Sequence, residues 1–269
     1  DSSRPPSMQA IGGGTYCAWH NHISSWDDAF GSPQNGGTAS KLMQPFPDIP
    51  AGTLVIRKTW VDGHGTDPDA DHQDGVQLVS GSHYWIGENW IAGQTNSACI
   101  IKSDEAPVDG SNTPITDVVI VNNYFGPPGS EDYYFLYVIA GNAGGTAGGR
   151  PKSVTITGNR FDTRAVDAGG SQRAPISAGD NPSSQAIFVA TEVQRQAGIA
   201  YQAANPTVLT DDAGPRGGYI ADARDATTWI VWSGNMWVTP EDTTFTTPTA
   251  TTWTIGVEIS PPGGWYAGV

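Results

Sequence analysis

The sequence predicts an all-β chain wound as a parallel β-helix of about five or more coils. The first observation is one phrase written three times. Ile86-Gly87-Glu88-Asn89-Trp90-Ile91, Ile120-Val121-Asn122-Asn123-Tyr124-Phe125 and Ile156-Thr157-Gly158-Asn159-Arg160-Phe161 share an apolar strand end, two spacers, an Asn and a bulky pair. Their Asn-to-Asn intervals are 34 and 36 residues, and a near-constant period of this size marks a repeat architecture. The second observation is a set of short β-branched or aromatic runs between the copies: Val76–Val79, Cys99–Lys102, Phe135–Ile139, Ile187–Val189 and Ile255–Ile259. The third is that no helical pattern separates the two series. Strands recurring in one order bury their apolar face by stacking turn on turn. With rungs ~4.8 Å apart, five turns give a core about 24 Å long.

Residues 1–50 are rich in Gly, Pro and Ser, with scattered aromatics and no period, so they read as a lead-in and cap over the first open rung. Residues 51–190 carry the rungs. A looser copy of the phrase, Ile56-Arg57-Lys58-Thr59-Trp60-Val61, opens them with Thr in the Asn place. Residues 191–226 break the pattern and read as an insertion, with a helical turn or two expected near Glu192–Ala197. Residues 227–269 return to strands and end in an arm. Their copy is Trp232-Ser233-Gly234-Asn235-Met236-Trp237, 76 residues after Asn159.

Strand alternation puts Val118, Ile120, Val154 and Ile156 on one inward face. The Asn three residues later falls at a corner, where Asn tolerates left-handed backbone and bonds neighbouring peptide groups. Asn89, Asn123, Asn159 and Asn235 are therefore expected to form an internal amide ladder.

Net charge is −14, from 27 acids and 13 bases, with charged residues only 15% of the chain. That excludes nucleic acid, whose phosphates need a basic face. It also disfavours uronate-rich polymers and leaves a neutral glycan or a protein as partner. Two cysteines, Cys17 and Cys99, are too few for a disulfide framework. The longest apolar run, Tyr133–Ala140, is far short of the ~20 residues a membrane helix needs, so no membrane insertion is expected. The chain begins at Asp1 without an initiator Met, and the expectation is a domain or processed fragment of a longer protein.

Two constellations carry candidate chemistry. In Asp67-Pro68-Asp69-Ala70-Asp71-His72-Gln73-Asp74-Gly75, glycoside cleavage would need two carboxyls facing one groove. Asp74 with Asp71, or with Asp104 on the next rung, is the candidate pair, tuned by His72. The alternate acids Asp67, Asp69 and Asp71 are also a candidate irregular calcium loop. It is not an EF-hand, because the sixth and twelfth positions are His72 and Leu78. No other cofactor is expected. The second constellation is aromatic. Trp60, Trp85, Trp90, Tyr124 and Trp237 recur near the repeat corner; pointing outward they make a stacking platform for sugar rings, pointing inward they are core.

His72-Gln73-Asp74-Gly75-Val76-Gln77, followed by the Ile-x-x-Asn rungs, resembles the right-handed parallel β-helix repeats of polysaccharide-active proteins. It looks most like the domains at the C-terminal ends of minor tail proteins of phages that infect actinobacteria. The resemblance covers residues 50–162 well, 186–260 loosely and 1–49 not at all. It implies a right-handed coil, a place in the virion tail beside other tail proteins, a homotrimer, and contact with host cell-surface polysaccharide. Relatives include lyases, hydrolases and adhesins, so activity is left open between receptor binding and glycan cleavage. The alternatives are a secreted or virion-borne polysaccharide-degrading enzyme and a purely structural tail element. The paired Asp-Asp phrase of polygalacturonases and the basic cluster of pectate lyases are both missing.

Overall fold

Short β-branched runs broken every few residues by turns cannot satisfy their backbone locally, so they must pair with distant runs. In the computed structural model they pair side by side, mostly in parallel. The structure describes residues 9–11, 17–19, 22–24, 28–31, 48–49, 53–62, 74–79, 81–102, 115–126, 134–139, 151–165, 170, 175–177, 188–189, 193, 196, 200, 230–240 and 253–258.

Almost all of these lie in or beside strands. In chain order the strands are β1 (Gln9–Ile11), β2 (Cys17–Trp19), β3 (His22–Ser24), β4 (Asp28–Gly31), β5 (Leu54–Arg57), β6 (Trp60–Asp62) and β7 (Asp74–Leu78). Then come β8 (Ser82–Gly87), β9 (Trp90–Ala92), β10 (Ser97–Lys102), β11 (Thr116–Val121), β12 (Tyr124–Phe125) and β13 (Tyr134–Ile139). The last are β14 (Lys152–Thr157), β15 (Arg160–Asp162), β16 (Ile176–Ser177), β17 (Phe188–Val189), β18 (Ile230–Ser233), β19 (Met236–Pro240) and β20 (Trp253–Glu258). Val193, Gln196 and Ala200 are helical and exposed.

Three sheets take these strands in rotation. The first runs β1-β4-β7-β10-β13-β16, the second β17-β18-β14-β11-β8-β5-β2, and the third β20-β19-β15-β12-β9-β6-β3. The chain passes from second sheet to third to first and begins again, an all-β architecture compatible with a coil of stacked turns. The pairing starts earlier than the repeat phrase indicates. The first 50 residues, expected as lead-in and cap, place β1 to β4 in the three sheets, and β2 pairs with β5 and β3 with β6 in parallel. Two runs also sit elsewhere than the alternation implies. Phe188–Val189 joins the second sheet beyond β18 rather than following β13. The run in β20 pairs with β19 antiparallel, which among the described strands is the exception to parallel pairing.

The core is a set of inward columns. Ile56, Ile86, Ile120, Ile156 and Trp232 stand in register in the second sheet, and Val61, Ile91, Phe125, Phe161 and Trp237 in the third. Val76, Cys99, Leu136 and Ile176 do so in the first. Cys99 is a free, buried thiol.

Between second and third sheets every described turn uses a left-handed residue: Lys58, Glu88, Asn122, Gly158 and Gly234, with φ between 49° and 65°. Only Gly and Asn adopt this freely. Lys58 and Glu88 are held there because their N–H groups donate to Gly87 O and Val121 O on the next rung, at 3.3 and 3.0 Å. The following residue is the repeat Asn. Asn123 Oδ1 accepts from Asn89 N and Nδ2, both at 3.0 Å, while Asn123 Nδ2 donates to Ile86 O and Asn159 Oδ1. Asn159 and Asn235 continue the pattern, and Thr59 N starts it by donating to Asn89 Oδ1 at 2.9 Å. All four Asn are buried.

Candidate functional site

The corner decides where the aromatic side chains go. A left-handed residue between Gly87 and Asn89 turns the chain from one sheet to the next. Trp85 and Trp90, five positions apart in sequence, therefore stand on the outer faces of different sheets. The five aromatics that read as either platform or core divide into three groups.

Trp60, Trp90 and Tyr124 form a column on the outer face of the third sheet, in register. Ring centroids are 5.4 Å apart for Trp60–Trp90, nearly perpendicular, and 5.8 Å for Trp90–Tyr124. The column is closed beyond Trp60, which is partly exposed: Trp90 is 8% exposed and Tyr124 6%, packed with Ala92 and Val238. Tyr124 Oη donates to Asp162 Oδ2 at 2.5 Å, and Arg164 grips the same buried carboxylate through Nε and Nη2. Burial, then the Asp162 charge, pushes the Tyr124 phenol well above its ordinary value. Asp162 and Arg164 are site-like residues that the repeat phrase did not reveal. The signal was Phe161-Asp162-Thr163-Arg164, an acid and a base two apart at a strand end.

Trp237 points the other way. It packs on Phe161 and Phe135 at 6.1 and 6.3 Å and belongs to the core.

Trp85 is partly exposed, as Trp60 and Trp237 are, and it rests on the outer face of the second sheet. It lies over Gly87, where a Cβ would fall on its six-membered ring, so glycine is what lets the indole lie flat on the sheet. Ile49 and Val55 flank it, and the Arg57 guanidinium sits 5.2 Å from the ring centre. Arg57 is anchored by Glu88 Oε1 and Asp48. From Trp85 the outer face of the second sheet runs on through Val119, Thr155 and Val231 in one row and Val121, Thr157 and Ser233 in the next. All are half-exposed or exposed, none is charged, and Val231 is 39% exposed. Thr157 and Ser233 hydroxyls bond each other at 2.8 Å. This face, four rungs long, is the candidate site.

Asp74 is not placed as a groove acid. It is 1% exposed, and Asn96 Nδ2 donates to it at 2.9 Å, as does Ser97 Oγ from the neighbouring strand. The Gly75 beside it has no room for a side chain, since a Cβ would stand 2.6 Å from Ala98 O. A carboxylate saturated in this way locks one rung to the next and does not reach a polymer lying outside. Asp67, Asp69, Asp71, His72 and Asp104 lie outside the described residues. Among the described residues no group of three His, Cys, Asp or Glu could hold a metal, and no helix is long and apolar enough to cross a membrane.

The fold and this face define a class: an all-β chain of stacked parallel strands with an outer sheet face headed by Trp85 and Arg57. Comparison with family models, curated proteins and solved structures finds no match for the chain.

Proposed function

We propose that the chain is a right-handed parallel β-helix from a phage tail that contacts a neutral glycan of the host cell envelope through the outer face of its second sheet. The observation that carries the reading is Trp85, flat and half-exposed at the head of a row of uncharged residues, Val119, Thr155 and Val231, in a chain of net charge −14. Charges of that sign repel uronates and phosphates in solution, whereas a sugar ring offers an apolar face to an indole and hydroxyls to Thr and Ser. The rungs repeat at about 4.8 Å, close to the rise of an extended sugar chain. The resemblance of the His72–Gln77 phrase and the Asn rungs to minor tail proteins supports the tail assignment. In the trimer that the resemblance implies, three such faces would raise avidity without new contacts.

The test is a titration of envelope polysaccharide from actinobacterial cells into the protein, followed by Trp fluorescence. A saturable change is expected for the wild type and a much weaker response for Trp85→Ala. No change in the wild type would remove the reading. Sedimentation velocity tests the trimer separately.

A further inference from the structure

His83 and Asp117 lie beside this face. They are register neighbours on β8 and β11, each two residues ahead of an outward member of the platform: His83 before Trp85, Asp117 before Val119. The four positions make a rectangle of about 7 Å along the strands and 4.8 Å across them, the footprint of a single sugar ring. His83 Nδ1 stands 3.1 Å from Asp117 Oδ2, and the two side chains are 57% and 50% exposed. Both residues hold left-handed backbone, with φ of 63° and 54°, and Ser153 repeats this on the next rung at 53°. Three successive non-glycine residues in that region are uncommon and need a surrounding that enforces them. Here the stack enforces them, as Thr116 N donates to Gly81 O and Lys152 N to Ile115 O on either side. The dyad is therefore presented on a stiff frame rather than on a loose loop.

We propose that His83 and Asp117 are the polar reading edge of the glycan face. They select a ring with two neighbouring free hydroxyls and reject acidic sugars. This rests on the glycan-contacting reading above. The carboxylate beside Nδ1 favours the imidazole tautomer with its proton there, which leaves Nε2 as a lone pair directed away from Asp117. In its neutral form the edge then offers acceptors outward: Nε2 of His83 and the second oxygen of Asp117. Acceptors need donors. A sugar hydroxyl donates to each while the ring rests on Trp85, but a uronate carboxylate or a phosphate brings only acceptors and negative charge against Asp117. Methylation or acylation of the two hydroxyls removes the donors and closes the edge to that ring.

The experiment uses a printed array of bacterial glycans containing neutral, uronate-bearing and phosphate-bearing polymers. The strongest binder is then titrated against wild type, His83→Gly, Asp117→Gly and Trp85→Ala. Glycine accepts the left-handed backbone, so these two variants remove the side chain without straining the rung, and thermal melting checks the fold. The expected result is a neutral binder whose affinity falls about tenfold in each glycine variant, the size of one lost hydrogen bond to a strong acceptor. The per-O-methylated form of that binder is expected not to bind. A neutral binder unaffected by both glycine variants but weakened by Trp85→Ala overturns the dyad and leaves the glycan face standing. An anionic best binder overturns the dyad and, with it, the neutral-glycan reading. A blank array overturns both readings.

Discussion

Asn123 commits every polar atom of its side chain to the rungs on either side. Its Oδ1 takes two donors from Asn89, and its Nδ2 serves Ile86 O and Asn159 Oδ1. In Asn123→Leu, Asn89 N and Ile86 O stay buried and lose these bonds at about 1–3 kcal/mol each, while Asn89 Nδ2 keeps Ile56 O and Asn159 Oδ1 keeps the backbone N of residue 123. A total loss on the order of 4 kcal/mol is expected from the urea midpoint, against a change near zero for Asn122→Gly, which keeps the left-handed turn. Cys99 gives a pH-dependent counterpart. Burial first, and the Asp74 charge second, push its thiol far above the ordinary 9.0. The folded state therefore holds this proton more tightly than the unfolded state. Its contribution to stability is complete below the unfolded value and is lost as pH rises above it. Denaturation midpoints should fall above about pH 9, and less steeply in Cys99→Ala, with equal slopes as the contrary result. Tyr124 adds a similar fall above about pH 10.

At the scale of an element, Gly87 joins the repeat to the candidate face, because its missing side chain is what allows Trp85 to lie on β8. Gly87→Ala should lift the indole, shift its emission to the red and weaken glycan binding nearly as much as Trp85→Ala, with little loss of stability since the strand bonds survive. An unshifted emission would show that the ring does not rest there. This contact lies between residues two apart, yet it is not legible from the sequence. What is legible is whatever must recur to be made. Asn89, Asn123 and Asn159 stand out because each amide needs an amide one rung away, and Ile86, Ile120 and Ile156 because each stacks on the last. Strands of two or three residues, such as β9 and β12, carry no period of their own, so one phrase reads as a unit although its left-handed residue divides it between two sheets. The earliest copy, Ala18-Trp19-His20-Asn21-His22-Ile23, has the pattern, but the copy after it puts Thr59 in the Asn place and hides the link. The surroundings of Asp74 come from β10 on the neighbouring rung, and no local motif announces them.

For the whole molecule, the stack needs an end. Each parallel rung offers its free N–H and C=O groups to the next, and a bare edge of this kind recruits other chains. In the third sheet that end is β20, which reverses direction and pairs with β19 through Val238–Ile255, Thr239–Thr254 and Pro240–Trp253, with an irregular register near Met236. An antiparallel strand cannot be followed by another copy of the parallel phrase in the same register, so the reversal closes the repeat. The same end carries Asn235, whose Oδ1 receives Asn159 and whose Nδ2 returns to Ile156 O, so the amide column also finishes inside the protein. Removing residues 241–269 deletes β20 and leaves β19 open beside the buried Val238 and the Trp237–Phe161 contact. The shortened chain should keep the circular dichroism of parallel strands yet associate with time and concentration, as light scattering and size-exclusion chromatography would record. The full chain at the same concentration should not. A shortened chain that stays the size of the parent and melts at the same temperature would mean that β20 is an appendage and that the stack is closed by other means.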